Sequence, residues 1–384
     1  MANLFVTPKY IITGENALSL SKDYLEKFGN KAFIVTDEMM VKLGALEKVL
    51  TVLKEINLEY EIFSEVNSEP TDLIVEKGIR KYKESNSDFL IALGGGSPID
   101  AMKAIGAMIS NEGEIVDYLG KVIPNEPPVL VAIPTTAGTG SEATQFTIIS
   151  DTKNNVKMLL KGPSLIPTLA IVDPVFTVTA PKQVTAATGV DALCHAIEAY
   201  TSRKAQPMSD TFAISAIKRI FENLSVAYEN GENLKAREEM SIASLEAGIA
   251  FNNSSVTIVH GMSRPIGALF HVPHGLSNAM LLDECLKFAK DGAIEKFDKL
   301  AQAIGVYKEG MSKGESATEF VLATSKLLSK LNIQTLDEFG VDKEEFMNSV
   351  DKMASDALVS GSPQNTMRIP TKEEIIDIYK RLWK

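Results

Sequence analysis

Cysteine is scarce in this 384-residue chain: Cys194 and Cys285 are the only two, and nothing in their placement reads as a disulfide framework. Long apolar runs are missing as well. No window approaches 18 uncharged apolar residues, so no transmembrane helix is expected. The first residues, Met1-Ala2-Asn3-Leu4-Phe5, lack a basic stretch followed by an apolar one, so no secretory signal is expected. A positive charge excess is also absent. With a formal net charge of −11, the surface repels phosphate backbones and anionic lipid, which argues against nucleic acid or a membrane as partner. These absences together point to the cytoplasm.

What is present is ordinary globular material. The chain is 45% hydrophobic and 23% charged, with ample substance for a core and a length that suggests two domains. In the first half, apolar runs at Lys31–Thr36, Asp88–Leu93, Val129–Thr135 and Thr168–Val172 read as strands. Amphipathic stretches at Leu46–Asn57 and Thr71–Asn86 read as helices between them, which argues for βαβ units and a parallel sheet. Thr144–Ile149 and Val156–Leu160 flank a polar Asp-Thr-Lys-Asn-Asn turn and read as an antiparallel pair. After Pro181 the apolar spacing becomes three and four, as in Met208–Asn223, Ala236–Asn252 and Glu315–Leu331, so the second half reads as helical almost throughout. The boundary falls near Pro174 and Pro181, giving an α/β domain over 1–180 and an all-helical domain over 181–384.

Two small-residue loops follow predicted strands. Gly94-Gly95-Gly96-Ser97-Pro98-Ile99-Asp100 precedes a predicted helix, where glycine lets backbone approach a pyrophosphate and the helix start offers free N–H groups. Ser97 can cap that helix and donate to phosphate. The other reading is a tight turn with no ligand, and the pattern is not the G-x-G-x-x-G fingerprint. The second loop, Pro134 to Glu142, contributes Thr135, Thr136 and Thr139 beside two glycines and a serine. Two such loops at strand carboxyl ends converge on the crevice where open α/β sheets bind ligands. Asp37 ends another strand. There an acidic side chain can accept from an adenosine ribose and would repel a 2′-phosphate, although Asp is also a common cap.

Histidine is the last scarcity. The chain has four, and His260, His271 and His274 lie within fifteen residues of one another. The fourth, His195, stands four residues after Asp191, on the same face of a helix. One carboxylate and several imidazoles suit a borderline divalent ion such as Fe²⁺ or Zn²⁺. A capping Asp beside satisfied core histidines is the plainer reading of Asp191 and His195 alone. His260 and His274, with two nucleotide loops upstream, favour the ion.

Through GGGSPID (94–100), PTTAGTGSE (134–142), TGVDALCHAIEAY (188–200) and HGMSRPIGALFHVPHG (260–275), the chain resembles the iron-dependent, group III alcohol dehydrogenases from end to end. The resemblance implies a dinucleotide-binding α/β domain followed by an all-helical domain, the dehydroquinate synthase-like or iron-containing alcohol dehydrogenase fold. It implies Fe²⁺ on Asp191, His195, His260 and His274, with iron preferred to zinc on the resemblance alone. The cofactor pyrophosphate falls to Gly94, Gly95, Gly96, Ser97 and Asp100, the nicotinamide end to Thr135, Thr136 and Thr139, and a ribose to Lys157. The position of Asp37 matches the acidic residue of NAD-preferring members.

Phe251 matches an apolar residue of the substrate pocket, and His271 is the titratable group expected to relay protons. Arg264 stands where many members carry a second histidine, and Asn365-Thr366-Met367-Arg368 replaces a more usual Asn-Asn-Pro-Arg. The expected activity is NAD(H)-linked interconversion of a short primary alcohol or diol and its aldehyde. Its rivals are a hydroxy-acid or phosphonate-aldehyde dehydrogenase of the same fold and a nucleotide-binding protein with a dead site. The expected partners are the small-molecule substrate and further copies of the chain, as a homodimer or larger assembly.

Overall fold

Branched and aliphatic runs bounded by turns form six strands that join one parallel sheet. They are β1 (Tyr10–Thr13), β2 (Lys31–Val35), β3 (Glu59–Phe63), β4 (Phe89–Gly94), β5 (Leu130–Pro134) and, after two strands that pair apart, β8 (Leu169–Val172). The computed structural model describes residues 2–154 and 156–383. Its strand order is β1-β8-β5-β4-β2-β3. Every residue of β4 and β5 is buried, as expected for central strands covered on both faces.

Three helices of this unit are labelled α1 (Ala45–Glu55), α2 (Asp72–Ser85) and α3 (Gly96–Ser110), counting only helices of ten residues or more. Leu46, Val49, Leu50 and Leu53 of α1 pack with Ala32, Ile34, Ile91 and Leu93 on one face of the sheet. Val75 and Tyr82 of α2 and Ile99, Met102 and Ile105 of α3 pack with Phe33, Val35, Leu90 and Ala92 on the other. The sheet is doubly wound. Its strand order reverses between β2 and β4, so the residues following those two strands flank a topological switch point.

β6 (Phe146–Asp151) and β7 (Val156–Lys161) form a separate antiparallel pair, with Phe146 opposite Lys161 and Asp151 opposite Val156. Asn155 of the expected turn lies outside the described residues. The first strand starts two residues later than the sequence suggests, because Ser141–Ala143 forms a 3₁₀ turn with Thr144 as its C-cap.

The unit Val6–Ala180 holds all of these strands. The second unit begins at Pro181 and includes the N-terminal residues up to Phe5, whose ring stacks on Phe212. It is helical: α4 (Lys182–Thr201), α5 (Pro207–Glu229), α6 (Leu234–Asn252), α7 (Ile258–Phe270), α8 (His274–Lys290), α9 (Ile294–Ala303), α10 (Lys313–Lys330), α11 (Lys343–Val359) and α12 (Lys372–Arg381). Reciprocal caps set several starts, for example Ser312 with Glu315 at α10 and Thr371 with Glu374 at α12. From Gly189 to Thr201 every residue of α4 is buried. Among the described residues, no helix is long and apolar enough to cross a membrane. The parallel α/β sheet and the helical second half are the fold class expected from the sequence.

Candidate metal centre and nucleotide loops

The two glycine- and threonine-rich loops meet in the α/β unit. Gly94 ends β4, and the N–H of Thr135, just past β5, donates to its carbonyl at 3.0 Å. A Cβ on Gly96 would lie 3.1 Å from the Thr139 methyl, so glycine there lets the first loop close against the second. Thr136 is the neighbour of Gly95 in the same way. The helix start differs from expectation. α3 begins at Gly96 with Gly95 as its N-cap, so Ser97 lies inside the first turn and does not cap it. No side chain caps this helix and no acidic residue stands in its first turn. Its first N–H groups and positive dipole end are therefore open to an anion.

Asp100, expected to face the cofactor pyrophosphate, also ties elements of this unit together. Its two carboxylate oxygens accept from Ser141 Oγ at 2.7 Å and from the Ile148 N–H at 3.0 Å, tying α3 to the second loop and to β6. Asp37 follows β2 at the switch point. Its Oδ1 accepts from the Met40 N–H at 2.9 Å, capping the short helix Glu38–Lys42. Lys157 pairs with Glu69 at 2.7 Å on the surface.

Lys103, missed by the sequence reading, lies beneath these loops, fully buried in a helix apolar on nearly every side. Its Nζ donates to Ser141 Oγ (3.0 Å), Thr144 O (2.9 Å), Thr144 Oγ1 (3.1 Å) and Phe146 O (2.9 Å). Burial pulls its pKa down to about 8, against the opposing pull of Asp100 and Glu142. Burial pushes neighbouring Glu142 up to about 7.

In the helical unit, three helices bring Asp191, His195, His260 and His274 together. One donor atom from each lies within 4.8 Å of the others. Asp191 and His195 are one turn apart on α4, His260 is the third residue of α7, and His274 is the first of α8. Gly275 permits the approach of α8 to α4. A Cβ there would stand 2.9 Å from the Ala187 carbonyl oxygen. Asp191, His195 and His260 are buried, whereas the His274 side chain is 40% exposed and marks the open side of the cluster.

The electrostatics of the cluster favour a cation. Burial alone would raise the Asp191 pKa, but His195, His274 and His260 outweigh it and hold the carboxyl well below the usual range. Burial drives His195 down to about 3, so its ring is neutral. Its Nδ1 is buried without a hydrogen-bond partner among the described residues and lies 3.9 Å from Asp191 Oδ2. An orphaned ring nitrogen beside a buried carboxylate suits a metal ion, which would supply the missing partner.

Two further buried residues surround the quartet. Glu198 lies seven residues after Asp191, on the same face of α4. Its Oε2 contacts His260 Nδ1, while Oε1 accepts from Thr257 Oγ1 and the Val259 N–H, both at 2.7 Å. Burial opposes ionisation of Glu198, but His260 prevails and lowers its pKa. Burial likewise pulls His260 down, yet Glu198 and Asp191 raise it to about 9. Asn278 is fully buried, and its Nδ2 donates to Asp191 Oδ1 at 2.6 Å while lying 3.1 Å from His260 Nε2 and 3.2 Å from His274 Nε2. The spacing Asp191–His195–Glu198 was visible in the sequence, whereas Asn278 carried no comparable signal.

Phe251 of α6 stacks on the His195 ring, with centroids 4.2 Å apart and planes 16° from parallel. Arg264 follows His260 by one turn of α7 and donates to Ser362 Oγ at 3.1 Å. It forms no ion pair among the described residues, and burial lowers its pKa. His271 is exposed, in the left-handed backbone region (φ 55°) that ends α7, and its ring makes no hydrogen bond among the described residues. The cluster therefore joins the four expected donors and Phe251. His271 is not one of its donors.

Comparison with known proteins places the chain among relatives along its whole length. Residues 8–174 match the iron-containing alcohol dehydrogenase family, and residues 185–383 match the C-terminal region of the Fe-containing alcohol dehydrogenase family. The NAD-dependent methanol dehydrogenase of Bacillus methanolicus is 37% identical over 383 residues, covering 99% of both chains. A crystal structure of 1,3-propanediol oxidoreductase superposes with a TM-score of 0.96 at 35% identity, covering 100% of each chain. The sulfoacetaldehyde reductase of Bifidobacterium kashiwanohense, solved in complex with NAD+, superposes with a TM-score of 0.90 at 27% identity, covering 100% of this chain and 99% of that one.

Proposed function

The chain belongs to the iron-containing alcohol dehydrogenase family and is an alcohol/aldehyde oxidoreductase, and from that premise we propose that it moves a hydride between NAD(H) and a short primary alcohol, diol or aldehyde. The observation that carries this reading is the convergence of Asp191, His195, His260 and His274 from three helices. These four would hold the divalent ion, for which Fe²⁺ is the proposed identity. When bound, it supplies Lewis-acid polarisation of the substrate oxygen. Phe251 covers one face of His195, keeping water from that ring and offering an apolar wall. The open first turn of α3, at Gly95, Gly96 and Ser97, receives the cofactor diphosphate, and Thr135, Thr136 and Thr139 lie across from it. Asp100 and Lys103 fix the relation between those loops. Asp37, at the switch point, accepts from the adenosine ribose and disfavours a 2′-phosphate. His271, exposed and beside the His274 end of the cluster in sequence, is proposed to pass protons to solvent. Two buried free thiols suit a reducing compartment, and the cytoplasm is the proposed location.

The test is a substrate panel on protein purified and iron-loaded without oxygen, with NADH and NADPH in parallel and metal content measured on the same sample. The expected result is about one iron per chain and faster turnover of short aldehydes with NADH. No turnover of any aldehyde, or full activity in metal-free protein, refutes the reading.

A second reading has its own support. Arg264 is a largely buried guanidinium whose one hydrogen bond among the described residues is to a neutral hydroxyl, a setting suited to an anionic substituent on the substrate. An aldehyde bearing a carboxylate, sulfonate or phosphonate would supply it.

A further inference from the structure

We infer that Glu198 is a positioning residue for the metal centre: its carboxylate keeps the His260 proton on Nδ1 and so leaves Nε2 as the nitrogen available to an ion. This rests on the proposed metal site. An ionised carboxylate only accepts hydrogen bonds, so the ring nitrogen facing Glu198 Oε2 must carry the proton. In the neutral ring, the form that a metal ion takes up, the opposite nitrogen then presents the lone pair. It lies 3.5 Å from Asp191 Oδ1, and Asn278 Nδ2 approaches it as a donor at 3.1 Å. The orientation of that amide is itself fixed, because the same Nδ2 also contacts the acceptor-only Asp191 Oδ1 at 2.6 Å. Both ends of the His260 ring are thus specified by neighbours that are not among the four donors.

The same carboxylate also holds the helix that carries the ring. The first N–H groups of α7 have no partner within the helix, and Thr257, its N-cap, makes no side-chain cap. Glu198 Oε1 fills that place from α4 by accepting from the Val259 N–H and from the Thr257 hydroxyl, each at 2.7 Å. A negative charge at a helix start is favourable in itself. His260 is the next residue after Val259, so one side chain sets the start of α7, the height of the ring above α4 and the tautomer of the ring. The side chains of Asp191 and Glu198 are only 3% and 2% exposed, so both carboxylates are largely shielded from solvent.

Glu198→Gln separates the tautomer role from the capping role. The amide oxygen can still accept from Val259 and Thr257, but its NH₂ is a donor and would force the His260 proton onto Nε2. Zinc, which is diamagnetic, is the probe. In competition with a chromophoric chelator, Glu198→Gln is expected to bind Zn²⁺ 10- to 100-fold more weakly than wild type, while the melting temperature of the metal-free protein shifts by no more than a few degrees. In the His260→Ala background, the same change is expected to cost less than about threefold, because Glu198 acts through the ring that is gone. Nitrogen-15 histidine spectra of zinc-loaded wild type should place the proton of His260 on Nδ1. Wild-type zinc affinity in Glu198→Gln overturns the inference. So does a wild-type spectrum with the proton on Nε2, which decides the matter even if the variant does not fold. Failure of wild type to bind zinc or iron at all would instead remove the metal site on which the inference stands.

Discussion

At the residue scale, Asp37 carries two tasks that one substitution can divide. Its Oδ1 caps the helix Glu38–Lys42 through the Met40 N–H, and its charge stands at the switch point of the sheet. Glycine at an N-cap costs only a few tenths of a kcal/mol relative to Asp, so Asp37→Gly should fold. The kcat/KM ratio for NADPH over NADH should rise at least about tenfold, since a fixed negative charge opposes the 2′-phosphate. An unchanged ratio would remove Asp37 from cofactor choice. Arg264→Ala tests the other charge. A hydrogen bond to a charged group contributes about 1.5–3 kcal/mol, roughly 10- to 100-fold. That loss is expected in kcat/KM for carboxylate-bearing aldehydes, with neutral aldehydes of the same length losing only a few-fold. Equal losses on both would make Arg264 structural. The convergence of Asp191, His195, His260 and His274 was legible because four histidines in 384 residues leave few ways to assemble three of them with one Asp. Glu198 was legible in principle from its spacing on α4. Asn278 was not, because a buried amide in an apolar helix leaves no periodic trace until a fold brings α8 over α4.

At the scale of elements, the second nucleotide loop depends on a lysine from a neighbouring helix. Lys103 Nζ reaches two hydroxyls and two main-chain carbonyls between Ser141 and Phe146, and it offsets the charges of Asp100 and Glu142. Lys103→Met keeps most of the side-chain volume but takes the donor from the buried Thr144 carbonyl and hydroxyl and the counter-charge from Asp100 and Glu142. Stranding buried acceptors and removing the cation should cost about 3 kcal/mol or more. For a unit of this size that corresponds to a melting-temperature loss of roughly 6 °C or more. NADH affinity should fall with it, because the loop that faces Gly95 and Gly96 loses its anchor. A variant with wild-type melting and wild-type NADH binding would show that the loop holds itself. Central strands such as β4 and β5 were readable as unbroken apolar runs, since both faces are covered. β1 and β3 were not. They are the two edge strands, short and mixed in burial, and their residues alone do not distinguish strand from loop. Serine favours a cap position, which suggests Ser97, but the helix begins two residues earlier than that cap implies, where a glycine passes close to Thr139.

At the scale of the whole molecule, the proposed function assigns the two kinds of ligand to different units. All four metal donors and Glu198 belong to the helical unit that begins at Pro181, while the open start of α3, Asp37 and the threonine loop belong to Val6–Ala180. A ligand bound only to the folded state stabilises by about 2.7 kcal/mol at 100 times its dissociation constant. That stabilisation should be read first by the backbone around each site. Hydrogen exchange measured by mass spectrometry can localise it. Stripping the metal with a chelator should speed exchange at the first turns of α7 and α8, where His260 and His274 sit close to helix starts, and leave β2, β4 and β5 unchanged. Adding NADH to the metal-free protein should slow exchange over residues 94–100 and 135–141 and leave the first turn of α7 unchanged. Chelation that loosens the parallel sheet as much as the helix starts would mean that the metal does not act through the four donors assigned to it. NADH protection confined to the helical unit would likewise displace the cofactor from the switch point. The two arms are independent, so either half of the functional reading can fail while the other stands.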